Sequence, residues 1–234
     1  MSTRFVITTR PEEKSGLRNN IECLEIRNVP LTKLVPVPFD REELLRFDPE
    51  VFIFTSSYGA GIFARTFGRT FSERMAIAIG DATAAALRES FSKVSVPEKK
   101  TSEGIVDKLE SEGFYRKRIA LLSSEKSNHV VENYLIQKKM RFRSWHLYRP
   151  FPVDPSPIIS YLQEENCAGI VVTSSYELVL LKEAIGDALH RAPLYVIGEM
   201  TLRQAEQIGL NVSEPVGKSN LAELLESIAE KVCA

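Results

Sequence analysis

The chain has 234 residues, of which 44% are hydrophobic and 26% charged, the profile of a soluble globular protein with one large domain or two ordinary ones; nothing in it suggests disorder, a collagen-like repeat or a membrane span. Thirty Lys and Arg against 31 Asp and Glu leave a net charge of -1, so no overall field points to a nucleic-acid partner. The three cysteines, Cys23, Cys167 and Cys233, form no CxxC pair, so neither a disulfide framework nor a zinc site is expected, and a reducing cytoplasm suits them.

In chain order, the first expected element is a strand over Arg4–Thr9, with no charged-then-apolar signal-peptide pattern ahead of it. Pro30, Pro36 and Pro38 then mark an extended connector, because proline fits neither a helix interior nor a central strand. Thr55, Ser56 and Ser57 follow an apolar strand, Gly80 follows the next one, and Thr83 opens the helix after it. Residues 114–149 carry nine Lys or Arg and only two carboxylates, either a solvated basic face or a site for an anionic ligand. Further strands are expected at 118–122, 142–147, 168–173, 193–197 and 211–214, with helices at 128–139 and 176–189. Pro150, Pro152, Pro155 and Pro157 mark a second extended connector.

The chain is one α/β unit written twice. Displaced by 118 positions, Thr55-Ser56-Ser57-Tyr58 falls on Thr173-Ser174-Ser175-Tyr176, Gly68 on Gly186, Ile79-Gly80 on Ile197-Gly198, and Thr83 on Thr201. With Val94-Ser95, Pro97 and Lys100 also repeating, twelve identities fall within positions 55–100, where unrelated sequences would share roughly three. Arg4–Arg10 resembles Arg118–Ser124 more loosely, so the duplication extends over the whole chain. Val- and Ile-rich runs alternating with amphipathic stretches predict a five-stranded, doubly wound parallel unit in each copy. The proline clusters lie at equivalent places and predict a hinge where the chain crosses between domains.

In such a fold, ligands gather at the carboxyl ends of the strands, beside helix N-termini. The repeated hydroxyls at 55–57, 83, 173–175 and 201 stand at such ends, where they either cap helices or bind an anion. Gly217-Lys218-Ser219 lacks the upstream glycine of a phosphate loop, position 212 being Val, and no GxGxxG follows any strand. His129, His146 and His190 lack metal-ligand spacing, and although a Ser nucleophile with a His base stays open, there is no nucleophile elbow. Tyr148, beside Arg149 at the end of the basic stretch, is the candidate for proton chemistry; the alternative is an aromatic that packs its ring and hydrogen-bonds its hydroxyl.

In order along the chain, Ile7-Thr-Thr-Arg-Pro11, Phe52-Ile-Phe-Thr-Ser-Ser57, Ala78-Ile-Gly-Asp-Ala-Thr-Ala84, Pro97 with Ser102-Glu-Gly-Ile-Val106, Leu147-Tyr148-Arg149, Ile170-Val-Val-Thr-Ser-Ser175 and Val196-Ile-Gly-Glu-Met-Thr201 together resemble the uroporphyrinogen-III synthase family. The resemblance implies a HemD-like fold of two similar doubly wound domains joined by two extended connectors, the first domain discontinuous: 1–36 plus 153–234, and 37–152, with a substrate cleft between them. It implies a monomeric cytoplasmic enzyme that closes the linear tetrapyrrole hydroxymethylbilane with inversion of its last ring, releasing water, without metal or cofactor. Its partner is then that octacarboxylate substrate, and neither nucleic acid nor membrane. Tyr148 matches the family's tyrosine and becomes the candidate general acid. The implied substrate contacts are Arg10, Thr55, Ser56, Ser57, Thr83, Ser123, Ser124, Ser174, Ser175 and Thr201. Asp81 and Glu199 depart from the family pattern at two helix starts and would repel an anion, which keeps open a non-catalytic tetrapyrrole- or anion-binding regulatory module of the same fold. Pro150 also stands where a threonine is common.

Overall fold

The computed structural model describes residues 3–14 and 18–233. Strands β1 (Arg4–Thr8), β2 (Asn20–Ile21) and β3 (Leu24–Asn28) come first, followed by the connector strand β4 (Thr32–Pro36). Next are α1 (Arg41–Phe47), β5 (Val51–Phe54), α2 (Ser57–Phe67), β6 (Met75–Ala78), α3 (Asp81–Leu87), β7 (Lys93–Ser95), α4 (Ser102–Glu112), β8 (Ile119–Ser124) and α5 (Val130–Gln137). The long strand β9 (Phe142–Pro152) leads to α6 (Ser156–Tyr161), β10 (Cys167–Val172), α7 (Ser175–Ile185), β11 (Leu194–Val196), α8 (Glu199–Gln207) and α9 (Leu221–Cys233). The chain divides into two compact units, one formed from residues 1–33 and 151–234, the other from 34–150.

In the 34–150 unit the sheet runs β4-β9-β8-β5-β6-β7. The pairs from β9 to β7 are parallel. Side chains alternate across a strand, so β5 serves two cores. Phe52 and Phe54 point to one face, with Leu44, Phe63, Leu87 and Phe91 around them. Val51 and Ile53 point to the other, with Ile105, Leu109, Val131 and Leu135. Helices α1 to α3 therefore cover one face and α4 and α5 the other, the doubly wound arrangement. Rings 4.8 to 5.4 Å apart link Phe52 to Phe63, Phe71 and Phe91, each a contact worth about 0.5–1.5 kcal/mol beyond its buried area.

In the other unit the sheet runs β11-β10-β1-β3-β2, parallel except for the short β2–β3 hairpin. Phe5, Ile7, Ile170 and Val172 meet Ile158, Leu178 and Leu181 on one face. Val6, Val171 and Tyr195 meet Leu224, Leu225 and Ile228 of α9 on the other. The expected strand at 211–214 does not form. Within 211–214 Ser213 N–H bonds Leu194 O of β11 at 2.7 Å, Pro215 has no N–H to give the next bond, and the chain meets β11 again at Gly217, whose N–H bonds Val196 O at 2.9 Å. The expected helix 176–189 is α7 for its first part and a 3-10 turn over Gly186–Arg191 for the rest.

The duplication is visible in backbone angles. Both α2 and α7 start behind an extended serine, Ser56 at φ -162° and Ser174 at φ -161°, and both end on a glycine at positive φ, Gly68 at 51° and Gly186 at 47°. A side chain is strained at such a φ, which is the reason this glycine recurs in both copies.

One expectation is overturned. Cys23 and Cys233 form a disulfide across a sequence separation of 210, with Cα atoms 6.0 Å apart. Spacing along the chain hides the pair, because only the packing of α9 against the β2–β3 hairpin brings its last residue beside Cys23.

Candidate functional site

In the 34–150 unit the candidate residues converge at the carboxyl ends of β8 and β9 and the start of α2. Ser56 caps α2, its Oγ accepting from Gly59 N–H at 3.1 Å. The same oxygen accepts from the Tyr148 hydroxyl at 2.8 Å. A β-bulge aims the tyrosine: Ser123 pairs with His146 but Ser124 pairs with Tyr148, so Leu147 is an extra residue that breaks the period-two alternation. Leu147 and Tyr148 therefore both join the core beneath α2. The ring of Tyr148 lies over Gly59, where an added Cβ would be 3.4 Å from its Cε1, and meets the ring of Tyr58 edge-on at 5.0 Å.

Tyr148 is 6% exposed. Burial pushes its phenol above the usual tyrosine value, opposed by the hydroxyls of Ser56 and Ser124. Packed ring and hydrogen-bonded hydroxyl are both present, and the hydroxyl partners are two predicted site residues. The hydroxyl of buried Ser123 lies 3.2 Å from His146 Nδ1. Ser124 Oγ accepts from Lys126 N–H at 3.2 Å.

The matching turn of the other unit has a different lining. Ser174 caps α7, accepting from Glu177 N–H at 3.2 Å, and Ser175 donates its hydroxyl to Met200 O at 3.3 Å. The Glu177 carboxylate is buried at 2% exposure among Thr9, Thr32 and Thr173. Its burial pushes its pKa up, against the pull of Lys14 and the threonine hydroxyls. Arg10 stands just past β1, its Nε donating to Lys14 O at 3.1 Å and its carbonyl accepting from Asn28 Nδ2 at 2.9 Å. Burial lowers the Arg10 pKa, with Glu177 opposing.

Several expectations need adjustment. Thr83 and Thr201 do not open their helices: α3 and α8 are capped by Gly80 and Gly198, and both threonines lie in the first turn at 3% exposure, packed inward. Thr55, after β5, is half-buried, its N–H on Leu122 O at 3.3 Å, and Ser57 is the half-buried first residue of α2. The two acids that should repel an anion are paired, Asp81 with Lys100 and Glu199 with Arg203. Four of the nine basic residues of the 114–149 stretch are in ion pairs: Lys117 meets Glu50, Arg118 meets Asp48 and Glu50, Lys138 meets Glu110, and Arg143 meets Glu43. Among the described residues no three His, Cys, Asp or Glu side chains converge as metal ligands would. No described helix is long and apolar enough to cross a membrane.

Sequence reasoning missed Glu177 and the Ser123–His146 contact. A signal for Glu177 existed, since Ser174-x-x-Glu177 is a capping-box pattern. The pattern suggests a carboxylate reaching back to the cap, whereas this one bonds Thr173 N–H at 3.3 Å and turns to the strand ends.

The protein-family description "HEM4: Uroporphyrinogen-III synthase HemD" matches residues 23–220. No curated protein matches the sequence. Among solved structures, a mutant uroporphyrinogen III synthase from the extremely thermophilic bacterium Thermus thermophilus is similar, with a TM-score of 0.61 and 17% identity over 97% of this chain and 99% of that one. Uroporphyrinogen-III synthetase from Helicobacter pylori is similar too, with a TM-score of 0.65 and 13% identity over 95% of this chain and 97% of that one. At these identities the structures show a shared fold.

Proposed function

The chain belongs to the uroporphyrinogen-III synthase family, and from that premise we propose how its residues close a linear tetrapyrrole. It is a cyclising lyase: hydroxymethylbilane becomes uroporphyrinogen III and water, with the last ring inverted. The open chain also closes unaided to the uninverted isomer, so the enzyme must steer as well as accelerate. Holding a flexible substrate in one reactive geometry removes entropy from the barrier before the chemical step.

The observation that carries the residue-level reading is the 2.8 Å hydrogen bond from Tyr148 to Ser56, at the strand ends where this fold gathers ligands. Burial keeps the phenol protonated, so it can donate to the departing hydroxyl of the substrate. As the carbon–oxygen bond breaks, water leaves and the adjacent pyrrole nitrogen supplies the electron pair, giving an electrophilic azafulvene. Inversion requires the substituted carbon of the last ring to attack first; the bond from that carbon to its old bridge then breaks to give a second azafulvene, and the ring's free carbon closes on that bridge and gives up its proton, which restores the phenol. Ser56 and Ser124 hold the hydroxyl in place, and Ser56 is itself fixed as the cap of α2.

Two sets of groups are available to the substrate's eight carboxylates. One unit offers Thr55, Ser57 and the N–H groups of the first turn of α2; the other offers Arg10, Ser174, Ser175 and the first turn of α7. The pairing of Asp81 and Glu199 with cations removes the repulsion those acids would exert. We also propose a cytoplasmic monomer. Sedimentation tests the oligomeric state, and alkylation of freshly lysed cells tests the compartment: a reducing cytoplasm predicts thiols at Cys23 and Cys233, which the structure has bonded, and a bonded pair in the cell would overturn the cytoplasmic reading.

The deciding experiment supplies freshly made hydroxymethylbilane and separates the oxidised products. Type III isomer formed faster than the spontaneous type I isomer is the expected result. Type I alone, at the uncatalysed rate, would refute the assignment.

A further inference from the structure

The mechanism above has no use for the most deeply buried carboxylate near the site. Glu177 is 2% exposed, and four donors converge on it. The hydroxyls of Thr9 and Thr173 reach Oε2 at 2.9 and 2.7 Å, Thr173 N–H reaches the same oxygen at 3.3 Å, and the Thr32 hydroxyl reaches Oε1 at 3.3 Å. A carboxylate accepts all four, which an amide or a hydroxyl could not do alone. The fold does not require a side chain here, since the position 118 residues earlier is Gly59, at the same place in α2. Burying a carboxylate costs free energy that a merely structural position would avoid with an apolar residue.

What Glu177 joins is informative. Thr9 directly follows β1, Thr32 begins β4 and Thr173 directly follows β10, three segments far apart in sequence. Thr9 is also bound through its N–H to Val171 O at 3.1 Å, and its hydroxyl oxygen accepts from Thr173 N–H at 3.3 Å. The next residue after Thr9 is Arg10, held on its far side by Asn28, which is itself fixed by the Thr8 hydroxyl at 2.7 Å. The next two after Thr173 are Ser174 and Ser175. One carboxylate thus anchors both groups that this unit offers to an anionic substrate.

We propose that Glu177 is a positioning residue that sets Arg10 and the Ser174–Ser175 turn in register to receive substrate carboxylates. This rests on the assignment of those residues to substrate binding. Glu177 touches no substrate; it acts through Thr9 and Thr173.

Steady-state kinetics on hydroxymethylbilane for the full-length wild type, Glu177→Ala, Glu177→Gln and Thr9→Val test it. Glu177→Ala is expected to raise KM about tenfold with kcat changed less than about threefold, the pattern of lost binding rather than lost chemistry. Glu177→Gln keeps an oxygen for Thr9 and Thr173 and should recover most of the wild-type KM. Thr9→Val should raise KM less, and add little to the effect of Glu177→Ala, because both act through one contact. A folded Glu177→Ala with wild-type KM overturns the proposal, and if that variant does not fold, a wild-type KM for Thr9→Val does so instead.

Amide hydrogen exchange supplies a readout independent of turnover. In Glu177→Ala or Thr9→Val, exchange should quicken at Thr9, Arg10 and Thr173–Ser175 and stay unchanged at the matched turn Thr55–Ser57, while Glu177→Gln should stay close to the wild type. Equal behaviour of the two turns also overturns the proposal. A wild type that forms no type III isomer would refute the functional assignment, while the exchange at the two turns would still decide the positioning role.

Discussion

The two serine turns, at Ser56 and Ser174, have the same backbone and opposite contents. Each serine caps an 11-residue helix through the N–H three residues on, and each helix ends on an equivalent glycine. Under Ser56 the third position is Gly59, and the space above its bare backbone is filled by the Tyr148 ring. Under Ser174 that position is Glu177, and its own carboxylate fills the space and gathers three threonines. The two copies have equivalent strand ends that differ at one helix position: one leaves room there for the Tyr148 ring, and the other holds a buried carboxylate.

The largest expected effect separates the units by their covalent bonding. Cys23–Cys233 ties together the two chain segments of one unit, and the loop it closes carries the other, so Cys233→Ser should lower stability in urea titration by about 2–5 kcal/mol. The transition assigned to the 34–150 unit should not move. If the serine variant melts like the wild type, the bridge contributes nothing in solution.

Tyr148→Phe tests the proton-donor side. It removes the hydroxyl and keeps the ring over Gly59, so kcat should fall about 100-fold, about 2.7 kcal/mol of barrier. Type III product should persist, because positioning supplies part of the acceleration. An unchanged rate would take the tyrosine out of the chemistry.

The two caps then answer differently to one substitution. Ser174→Ala loses a cap, about 1 kcal/mol by thermal unfolding. Ser56→Ala loses a cap and also strips the buried Tyr148 hydroxyl of an acceptor, which adds about 1–3 kcal/mol. Equal losses would mean that Tyr148 finds another partner.

The smallest effect concerns pH. Glu177 is held above its ordinary pKa, chiefly by burial, so the unfolded chain ionises first as pH rises past about 4.3. Wild-type stability should fall across the window from there to the raised folded-state value, and Glu177→Gln should lack that fall. Lys14 is held low, again chiefly by burial, which places its own contribution in a separate window below about 10.4, where stability rises with pH. Parallel wild-type and Glu177→Gln profiles would mean that Glu177 keeps an ordinary pKa.

Much of this was legible in the sequence. Continuous apolar runs such as Val51–Phe54 and Cys167–Val172 define strands that serve two cores, because neighbouring side chains point to opposite faces. The 118-residue offset located both turns and both caps, because capping is a local affair of one hydroxyl and an N–H three residues away. The family resemblance rested on ordered short motifs, most of which lie at strand ends. The strand at 211–214 failed because local propensity cannot show whether a ladder partner is in reach, and Thr83 and Thr201 turned inward because helix phase depends on where the helix starts.

The sequence by itself therefore determined the repeat, the doubly wound α/β character and the residues at the strand ends. Tertiary structure alone decided which of those residues meet. Tyr148 reaches Ser56 across 92 residues only through the bulge in β9, Glu177 reaches Thr9 across 168, and Cys23 reaches Cys233 across 210. Each of these contacts depends on how strands are ordered and registered in a sheet, and that order is set by the packing of whole cores rather than by any local run of residues.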